Sequence, residues 1–333
     1  MRTNYSLKQP IVTLRSTSFW RFVHSVLPLG HRLNKLISMT SKNCTFIKIS
    51  WDGYWLSLPR AWLDIASSAT APIYQSPRRQ NPEFFEILEP ILSALPSGCI
   101  VDVGANIGIY TLAFRRRTSA QIISFEPDPF IFSLLRDNVR SNKLPAVTIK
   151  NVACGDSEGA VFFDAGINGR VVPLPLASEI SPPGTVFVPS SDEPEEDGVI
   201  SVPVRLLDNE LRFEPNIRLI KIDCEGYEWN ILNGCRDIMS KQHPIFFVEL
   251  HPKLIGNFHH SLSDVCDLLR SSYRLEFWEL GPTRLLRSRI ARFAGRYRKQ
   301  LKKLRDEAQM LAIGTTDPIP DQVYLLALPF PRH

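Results

Sequence analysis

The sequence predicts an α/β fold in which a mostly parallel sheet is covered by helices on both faces. From residue 81 onward, short apolar runs alternate with amphipathic helical segments, and this alternation is typical of right-handed strand–helix–strand units. Several apolar runs end in acidic residues, which indicates a ligand crevice at one edge of the sheet. With 333 residues, 44% of them hydrophobic, the chain is long enough for one large domain with additions.

We expect residues 1–80 to precede the main domain, which we place at 81–333. The first fifty residues contain no acid and eight Lys or Arg residues. Apolar residues at helical spacing between Phe19 and Leu27 predict a helix packed on the domain, with attachment to an anionic membrane surface as the alternative. Asp52-Gly53, between the apolar runs 45–50 and 54–58, predicts a β-hairpin, and residues 67–80 resemble a linker.

The most informative stretch is a strand, a glycine turn and a helix over residues 99–117. The apolar strand 99–103 leads into Gly104 and Gly108, and the helix 107–117 begins there with free backbone N–H groups facing the crevice. The next strand, 121–125, ends in Glu126, which stands at the spacing of a carboxylate that binds the two hydroxyls of a ribose. These features predict a site for an adenosine-containing cofactor.

The residues of the glycine loop favour S-adenosylmethionine over a nicotinamide dinucleotide as the cofactor. Asn106 stands between the two glycines, so the G-x-G-x-x-G pattern of dinucleotide enzymes is missing. Asp102 would repel a pyrophosphate but suits a ligand with an ammonium and a sulfonium group, such as S-adenosylmethionine. A nicotinamide-dependent oxidoreductase or epimerase is therefore the less favoured alternative. Asp156, after the strand 146–151, is placed to bind an adenine amino group or to serve as an ordinary turn residue.

Acidic side chains follow two later strands as well. The strand 217–222 ends in Asp223 and Glu225, and the strand 244–250 carries Glu249 and ends in His251. We expect these groups to face the same crevice as the glycine loop. A histidine satisfied within the core is the ordinary alternative for His251, and the mixed oxygen and nitrogen donors suit Mg²⁺ or Mn²⁺ only partly, so we assign no metal ligands.

Six motifs in this order resemble those of the FkbM-type methyltransferases, over residues 100–252. They read VDVGANIGIY, FEPDP, VACGDSEG, VPVRLLD, IKIDCEGYEWNILNG and PIFFVELHP. The resemblance implies a Rossmann-like class I fold with a mostly parallel, seven-stranded sheet. It also implies S-adenosylmethionine-dependent O-methylation of a hydroxyl on a sugar, glycan or secondary metabolite.

The resemblance also implies roles for individual residues. Glu126 would bind the ribose and Asp156 the adenine of S-adenosylmethionine. Asp223, Glu225, Glu249 and His251 would line the acceptor side. Because a hydroxyl must lose its proton when it is methylated, a general base is needed, and we favour Asp223 or His251, with Glu225 orienting the acceptor or ordering the turn. The methionine part of S-adenosylmethionine would be held at the glycine loop by Asp102, Gly104, Asn106 and Gly108.

The C-terminal region predicts a helix over 262–272, a strand over 273–280 and a last antiparallel strand over 322–328. Between them, residues 283–306 carry ten Lys and Arg residues and one acid, with apolar residues at threes and fours. This pattern predicts a basic amphipathic helix inserted into the domain. Its basic face is either solvated or in contact with anionic lipid or an acidic glycan, and no nucleic acid partner is expected.

Composition sets the expected location. The six cysteines show no paired spacing, which favours reduced thiols in a cytosolic protein, and no run of eighteen apolar residues predicts a membrane span. We therefore expect a cytoplasmic protein, with peripheral membrane contact through the basic segments as the alternative. A non-catalytic module that keeps the fold and attaches to a membrane is the second functional alternative, which the acids at every expected site position disfavour.

Overall fold

The computed structural model describes residues 46–59, 81–165, 169–173, 199–282, 299–313 and 322–331. Its strands are β1 (Phe46–Trp51), β2 (Tyr54–Pro59), β3 (Cys99–Val103), β4 (Gln121–Phe125), β5 (Val147–Lys150), β6 (Ala153–Cys154), β7 (Gly159–Asp164), β8 (Arg170–Val171), β9 (Val199–Arg205), β10 (Ile217–Ile222), β11 (Ile245–Leu250), β12 (Tyr273–Pro282), β13 (Lys299–Lys303) and β14 (Val323–Pro329). Its α-helices are α1 (Glu89–Ala94), α2 (Ile109–Arg117), α3 (Pro129–Ser141), α4 (Leu207–Glu210), α5 (Glu228–Asn233), α6 (Arg236–Gln242), α7 (Leu262–Leu269) and α8 (Glu307–Ile313).

The predicted β-hairpin is present and packs on the domain. Strands β1 and β2 pair antiparallel around Asp52 and Gly53, which both have positive φ angles (47° and 83°) as a two-residue hairpin turn requires. The side chain of Asn138 in α3 accepts a hydrogen bond from the Ser57 N–H (2.7 Å) and donates one to the Ser57 carbonyl (3.2 Å). The hairpin is therefore tied to the helix that follows β4.

The main sheet has eight strands among the described residues, in the order β13-β12-β14-β11-β10-β3-β4-β5. Strands β11, β10, β3, β4 and β5 are parallel, and β14 runs antiparallel to both β11 and β12, as predicted for the last strand. The five predicted strands between residues 99 and 250 that form the parallel core lie within one residue of their expected bounds. The mostly parallel α/β sheet is confirmed, with one strand more than the seven expected.

The extra strand corrects part of the basic helix predicted over 283–306. Residues 299–303 form β13, which pairs antiparallel with β12 and places Leu301 opposite Leu280. The edge of β12 offers unpaired backbone groups, and pairing with them outweighs the helical spacing of the apolar residues. Residues 283–298 lie outside the described part of the structure, as do residues 1–45, residues 60–80 with the predicted linker, and most of residues 165–198.

Helices cover both faces of the sheet and enclose two apolar clusters. Because side chains alternate along a strand, Val101 and Ile220 contribute to one cluster, while Ile100 and Leu219 contribute to the other. The second cluster lies under α1, α2 and the hairpin. A smaller sheet of four strands, in the order β6-β9-β7-β8, packs on the first cluster through Phe163, Val171, Val202 and Val204. Among the described helices, none has the length and apolar character needed to cross a bilayer.

Candidate active site

A cleft opens at the carboxyl ends of β3, β4 and β10, where the sequence places its acidic residues. Its empty space amounts to about 690 Å³, part of which is open solvent. One wall is polar and is formed by the glycine loop and the turn after β10. The apolar wall of the cleft comprises Phe125, Val152, Ala153, Cys154, Phe163, Val171, Tyr227 and Ile231.

The glycine loop follows β3 in a left-handed backbone conformation. Gly104 has a φ of +73°, and a Cβ there would lie 1.9 Å from the Asp223 carbonyl oxygen. Only glycine therefore lets the ends of β3 and β10 approach so closely. Asn106 is also left-handed, with a φ of 51°, a conformation that asparagine tolerates better than most residues. Both residues line the cleft.

Glu126 holds the loop against β4. Its carboxylate accepts hydrogen bonds from the backbone N–H of Asn106 (2.8 Å) and of Asp128 (2.9 Å). Burial raises the pKa of Glu126 to about 8, although these two hydrogen bonds oppose the shift. The Glu126 carboxyl lines the cleft at the position predicted for a ribose-binding group.

Asp102 lies beneath the loop and is not part of the cleft wall. It belongs to the sheet face that packs against α2, so its carboxylate accepts a hydrogen bond from Thr111 (2.8 Å) and faces the Lys221 ammonium at 3.5 Å. Lys221 also donates to the Gly104 carbonyl (3.2 Å) and to Asp223 (3.3 Å). Burial lowers the pKa of Lys221, but Asp223 and Asp102 outweigh it and raise that pKa above its ordinary value. The ion pair therefore supports the loop from below.

Two further residues predicted to bind the cofactor lie beside the cleft. Gly108 precedes α2 with a φ of +96°, and a Cβ there would lie 2.7 Å from Leu135, so this glycine serves helix packing. Asp156 accepts a hydrogen bond from the Asn230 side chain (3.1 Å) and is not among the lining residues. Of the six predicted residues, Gly104, Asn106 and Glu126 line the cleft.

The acidic residues after β10 and β11 surround His251. The ring nitrogen Nδ1 of His251 lies 2.8 Å from the Glu228 carboxylate, which is fully buried. The other ring nitrogen, Nε2, is buried without a hydrogen-bond partner. Three carboxylate oxygens stand around Nε2, from Glu225 at 3.5 Å, Glu249 at 3.8 Å and Asp223 at 4.0 Å.

Burial and the neighbouring charges shift the pKa values of His251 and Glu225. Burial lowers the pKa of His251, but the hydrogen bond to Glu228 and the charges of Glu225 and Asp223 outweigh it and raise that pKa to about 10. Burial raises the pKa of Glu225 to about 7, against the opposing effect of His251. Without a bound ligand, His251 therefore carries a proton near neutral pH, which does not suit the predicted role of general base.

Glu249 is the most buried of the three acids around Nε2 of His251. Burial and the charge of Asp223 raise its pKa well above the ordinary value. The Tyr324 hydroxyl donates to it, and Glu83 and Tyr110 form a further hydrogen-bonded pair (2.7 Å) on the same side of the sheet. Asp223 and Glu225 line the cleft, whereas Glu249 and His251 lie behind them.

Sequence reasoning missed several residues of the site. Lys221 and Glu228 were not assigned roles, although a lysine inside an apolar strand and an acid five residues after Asp223 are visible in the sequence. The apolar wall was also missed, because Phe163, Val171 and Ile231 come from a separate sheet and a helix. Their approach to the cleft depends on chain topology, which local patterns do not report.

A family model described as "Methyltransferase FkbM domain" matches residues 102–275, just over half of the chain. The chain belongs to the FkbM methyltransferase family. This membership and the sheet topology confirm the predicted Rossmann-like class I methyltransferase fold.

Curated relatives carry methyltransferase names. The chain is 30% identical over 157 residues to the hexuronic acid methyltransferase AglP of Haloferax volcanii, covering 45% of this chain and 54% of that protein. It is 30% identical over 156 residues to the 2-O-methyltransferase NoeI of Sinorhizobium fredii, covering 45% and 63%. The match therefore spans less than two thirds of the length of these relatives. A solved FkbM methyltransferase from Methylobacillus flagellatus is 17% identical, with a TM-score of 0.35 over 62% of this chain and 44% of that one.

Proposed function

We propose that this protein is an S-adenosylmethionine-dependent O-methyltransferase that acts on a hydroxyl group of a sugar, glycan or secondary metabolite. The observation that carries the proposal is the cleft itself, in which a glycine loop and a buried glutamate stand beside a group of carboxylates. The first part suits the methyl donor, and the second suits a hydroxyl that must lose a proton. Family membership supports the same reaction class.

The residues present fit the methyl donor. Glu126 presents a buried carboxyl group to the cleft and would accept hydrogen bonds from the ribose hydroxyls. The apolar wall around Ala153, Tyr227 and Ile231 suits the flat face of an adenine ring. Gly104 and Asn106 would contact the methionine part, and Asp102 would act indirectly by holding Lys221 under the loop. When bound, the donor supplies the methyl group on its sulfonium.

The acceptor side supplies a base and a means of positioning. A hydroxyl oxygen that takes a methyl group gives up its proton, and a carboxylate within hydrogen-bond reach accelerates this step by about a hundredfold to ten-thousandfold. Asp223 and Glu225 both line the cleft, with exposed side-chain fractions of 28% and 25%. We assign proton removal to this pair and a positioning role to His251, which holds their carboxylates on one side of the cleft.

The acceptor class is supported by the names of two relatives. One is called a hexuronic acid methyltransferase and the other a 2-O-methyltransferase. A hydroxyl of a sugar or sugar acid is therefore the first acceptor to test. An acidic sugar would meet the carboxylates of Asp223 and Glu225 unless a cation or a basic residue offsets their charge, so neutral glycosides belong in the same panel.

Calorimetry with the full chain tests the donor. We expect binding of S-adenosylmethionine and S-adenosylhomocysteine, and weaker binding of both to Glu126→Gln. Binding of NADH with neither of these ligands would instead favour the oxidoreductase alternative and refute the proposal. A donor with a labelled methyl group, incubated with hexuronic acid and neutral glycosides, then identifies the acceptor by mass spectrometry of the methyl ether.

The assignment of the base is tested separately. Glu225→Gln keeps the size of the side chain and removes its ability to take a proton. We expect S-adenosylhomocysteine binding to be retained and transfer to slow by about a hundredfold or more. Asp223→Asn is the partner variant, and wild-type turnover in either variant would remove that residue from the base role.

A further inference from the structure

The side chains around His251 leave one of its ring nitrogens buried without a hydrogen-bond partner, and this indicates a binding site for a ligand. His251 is 4% exposed, and its Nε2 atom has no hydrogen-bond partner. A buried polar atom that has no hydrogen-bond partner destabilises the folded protein, because it has lost its hydrogen bonds to water. Three carboxylates point toward this atom, yet all of them stop at 3.5 Å or more, which leaves a gap between the groups instead of direct hydrogen bonds.

From this gap we propose that Asp223, Glu249 and His251 bind a divalent metal ion. Each residue offers one ligand atom, and these atoms all lie within 4.8 Å of one another. Two ligands that each stand about 2.1 Å from one ion are about 3.0 Å apart at a right angle and about 4.2 Å apart when opposite. The Nε2 atom of His251 lies 3.8 Å from the Glu249 carboxylate and 4.0 Å from the Asp223 carboxylate, so both distances fall inside this range.

The surroundings of His251 match those of a metal-binding histidine. Such a histidine normally donates its other ring N–H to a carboxylate, which fixes the orientation of the ring. The Glu228 carboxylate occupies that position at 2.8 Å from Nδ1 and also accepts a hydrogen bond from the Gly226 N–H (2.9 Å). Glu228 is itself fully buried, so it aims Nε2 at the gap.

The donor set indicates the kind of ion. Two carboxylates with one imidazole suit a divalent first-row ion that accepts both oxygen and nitrogen, and Mn²⁺ is the appropriate probe. One face of the site opens on the cleft through Asp223. For the role of the ion, the inference rests on the proposed function: an acceptor hydroxyl held at the metal would lose its proton more readily. Asp223 would then serve as a ligand, which leaves Glu225 as the member of the pair that receives the proton.

Metal binding can be measured without turnover. The full chain, stripped with a chelator, is titrated with Mn²⁺, and the electron paramagnetic resonance signal of free Mn²⁺ is followed. We expect one saturable site per chain. Glu249→Gln and His251→Gln should each weaken the affinity about tenfold or more. Glu276→Gln, which removes a partly buried acid paired with Lys303 and Arg274 on β12, should leave it unchanged.

The outcomes separate this inference from the proposed function. Circular dichroism and S-adenosylhomocysteine binding report whether each variant is folded, and His251→Gln decides the matter if Glu249→Gln fails to fold. A folded wild-type chain that binds S-adenosylhomocysteine but shows no saturable Mn²⁺ site overturns the metal site alone. Unchanged Mn²⁺ affinity in the folded variants does the same. A chain that binds Mn²⁺ but neither S-adenosylmethionine nor S-adenosylhomocysteine refutes the proposed function instead.

Discussion

Four residues with a left-handed backbone lie in the two turns that form the polar wall of the cleft. Gly104, Asn106, Glu225 and Gly226 all have positive φ angles, between 50° and 103°. A non-glycine residue pays conformational strain in this region. Asn106 and Glu225 adopt this strained conformation and also line the cleft. This supports a functional role for their side chains.

Substitution of Gly104 tests the closeness of the two turns. Gly104→Ala places a methyl group 1.9 Å from the Asp223 carbonyl oxygen at a φ of +73°. The strain and the displacement together should lower the free energy of unfolding by about 3 kcal/mol or more. Gly256→Ala is the control, because a Cβ there meets nothing within 4 Å. Equal thermal unfolding of the two variants would contradict this account of the loop.

Glu126 predicts a pH dependence of donor binding. Burial raises its pKa to about 8, so the carboxyl is mostly protonated at lower pH. If the ionised form binds the ribose, affinity for S-adenosylhomocysteine should rise by up to about tenfold per pH unit as the pH approaches 8 and then level off. Calorimetry between pH 6.5 and 9 measures this, and Glu126→Gln should show weak binding without that slope. A flat wild-type profile would argue against the role of Glu126.

The same shift has a consequence for stability. A carboxyl group whose pKa rises from 4.5 to about 8 on folding binds its proton more tightly in the folded state. Its contribution to the free energy of unfolding is therefore largest below pH 4.5 and decreases as the pH rises to about 8. A bound ribose that stabilises the ionised form would reduce this loss.

The sequence shows that the acids lie at the ends of strands, but the alternation of side chains along each strand determines which of them point into the cleft. Glu126, Asp223 and Glu225 follow their strands and reach the cleft. Asp102 and Lys221 lie within β3 and β10, so their side chains point to the α2 face and pair with each other. The sequence shows the spacing of these residues, whereas the direction of each side chain depends on which helix covers which face.

At the level of elements, the helix before β3 illustrates how one residue changes a predicted helix. The helix expected from Asn81 is present, but residues Phe84–Leu88 form a π-helical turn before α1. Pro90 stands in the first turn of α1 and has no N–H to donate. The Glu89 N–H bonds to the Phe84 carbonyl across the wider turn. Helical periodicity predicts the element and does not report this local widening.

The attachment of the hairpin to α3 provides a matched pair of variants. Asn138 is fully buried and bonds to both backbone groups of Ser57 and to the Ile107 carbonyl (2.8 Å). Asn142 makes the same two bonds to Trp55 one turn later, near the surface. Asn138→Ala should cost about 2–4 kcal/mol of unfolding free energy because buried groups lose their partners, and Asn142→Ala less than about 1 kcal/mol. Similar costs in chemical denaturation would show that burial does not decide the effect.

For the whole molecule, the order of the parallel strands follows from the alternation of strands and helices, and the sequence predicts it well. Two features escape such reasoning. The small sheet depends on pairing between β7 and β9, which lie far apart in the sequence. Strand β13 replaces part of a predicted helix because the open edge of β12 offers backbone partners. Both depend on contacts between distant parts of the chain, which local periodicity does not contain.

The small sheet and the main sheet both contribute to the cleft, so a bound donor should connect them. Gly104 and Glu126 come from the main sheet, while Phe163 and Val171 come from β7 and β8. At a concentration about 100 times its dissociation constant, S-adenosylhomocysteine should add about 2.7 kcal/mol of stability. Hydrogen exchange should then slow at residues 104–106 and 126–128 and also at 160–164, with NADH as the control ligand. Protection confined to the main sheet would mean that the small sheet does not close on the donor.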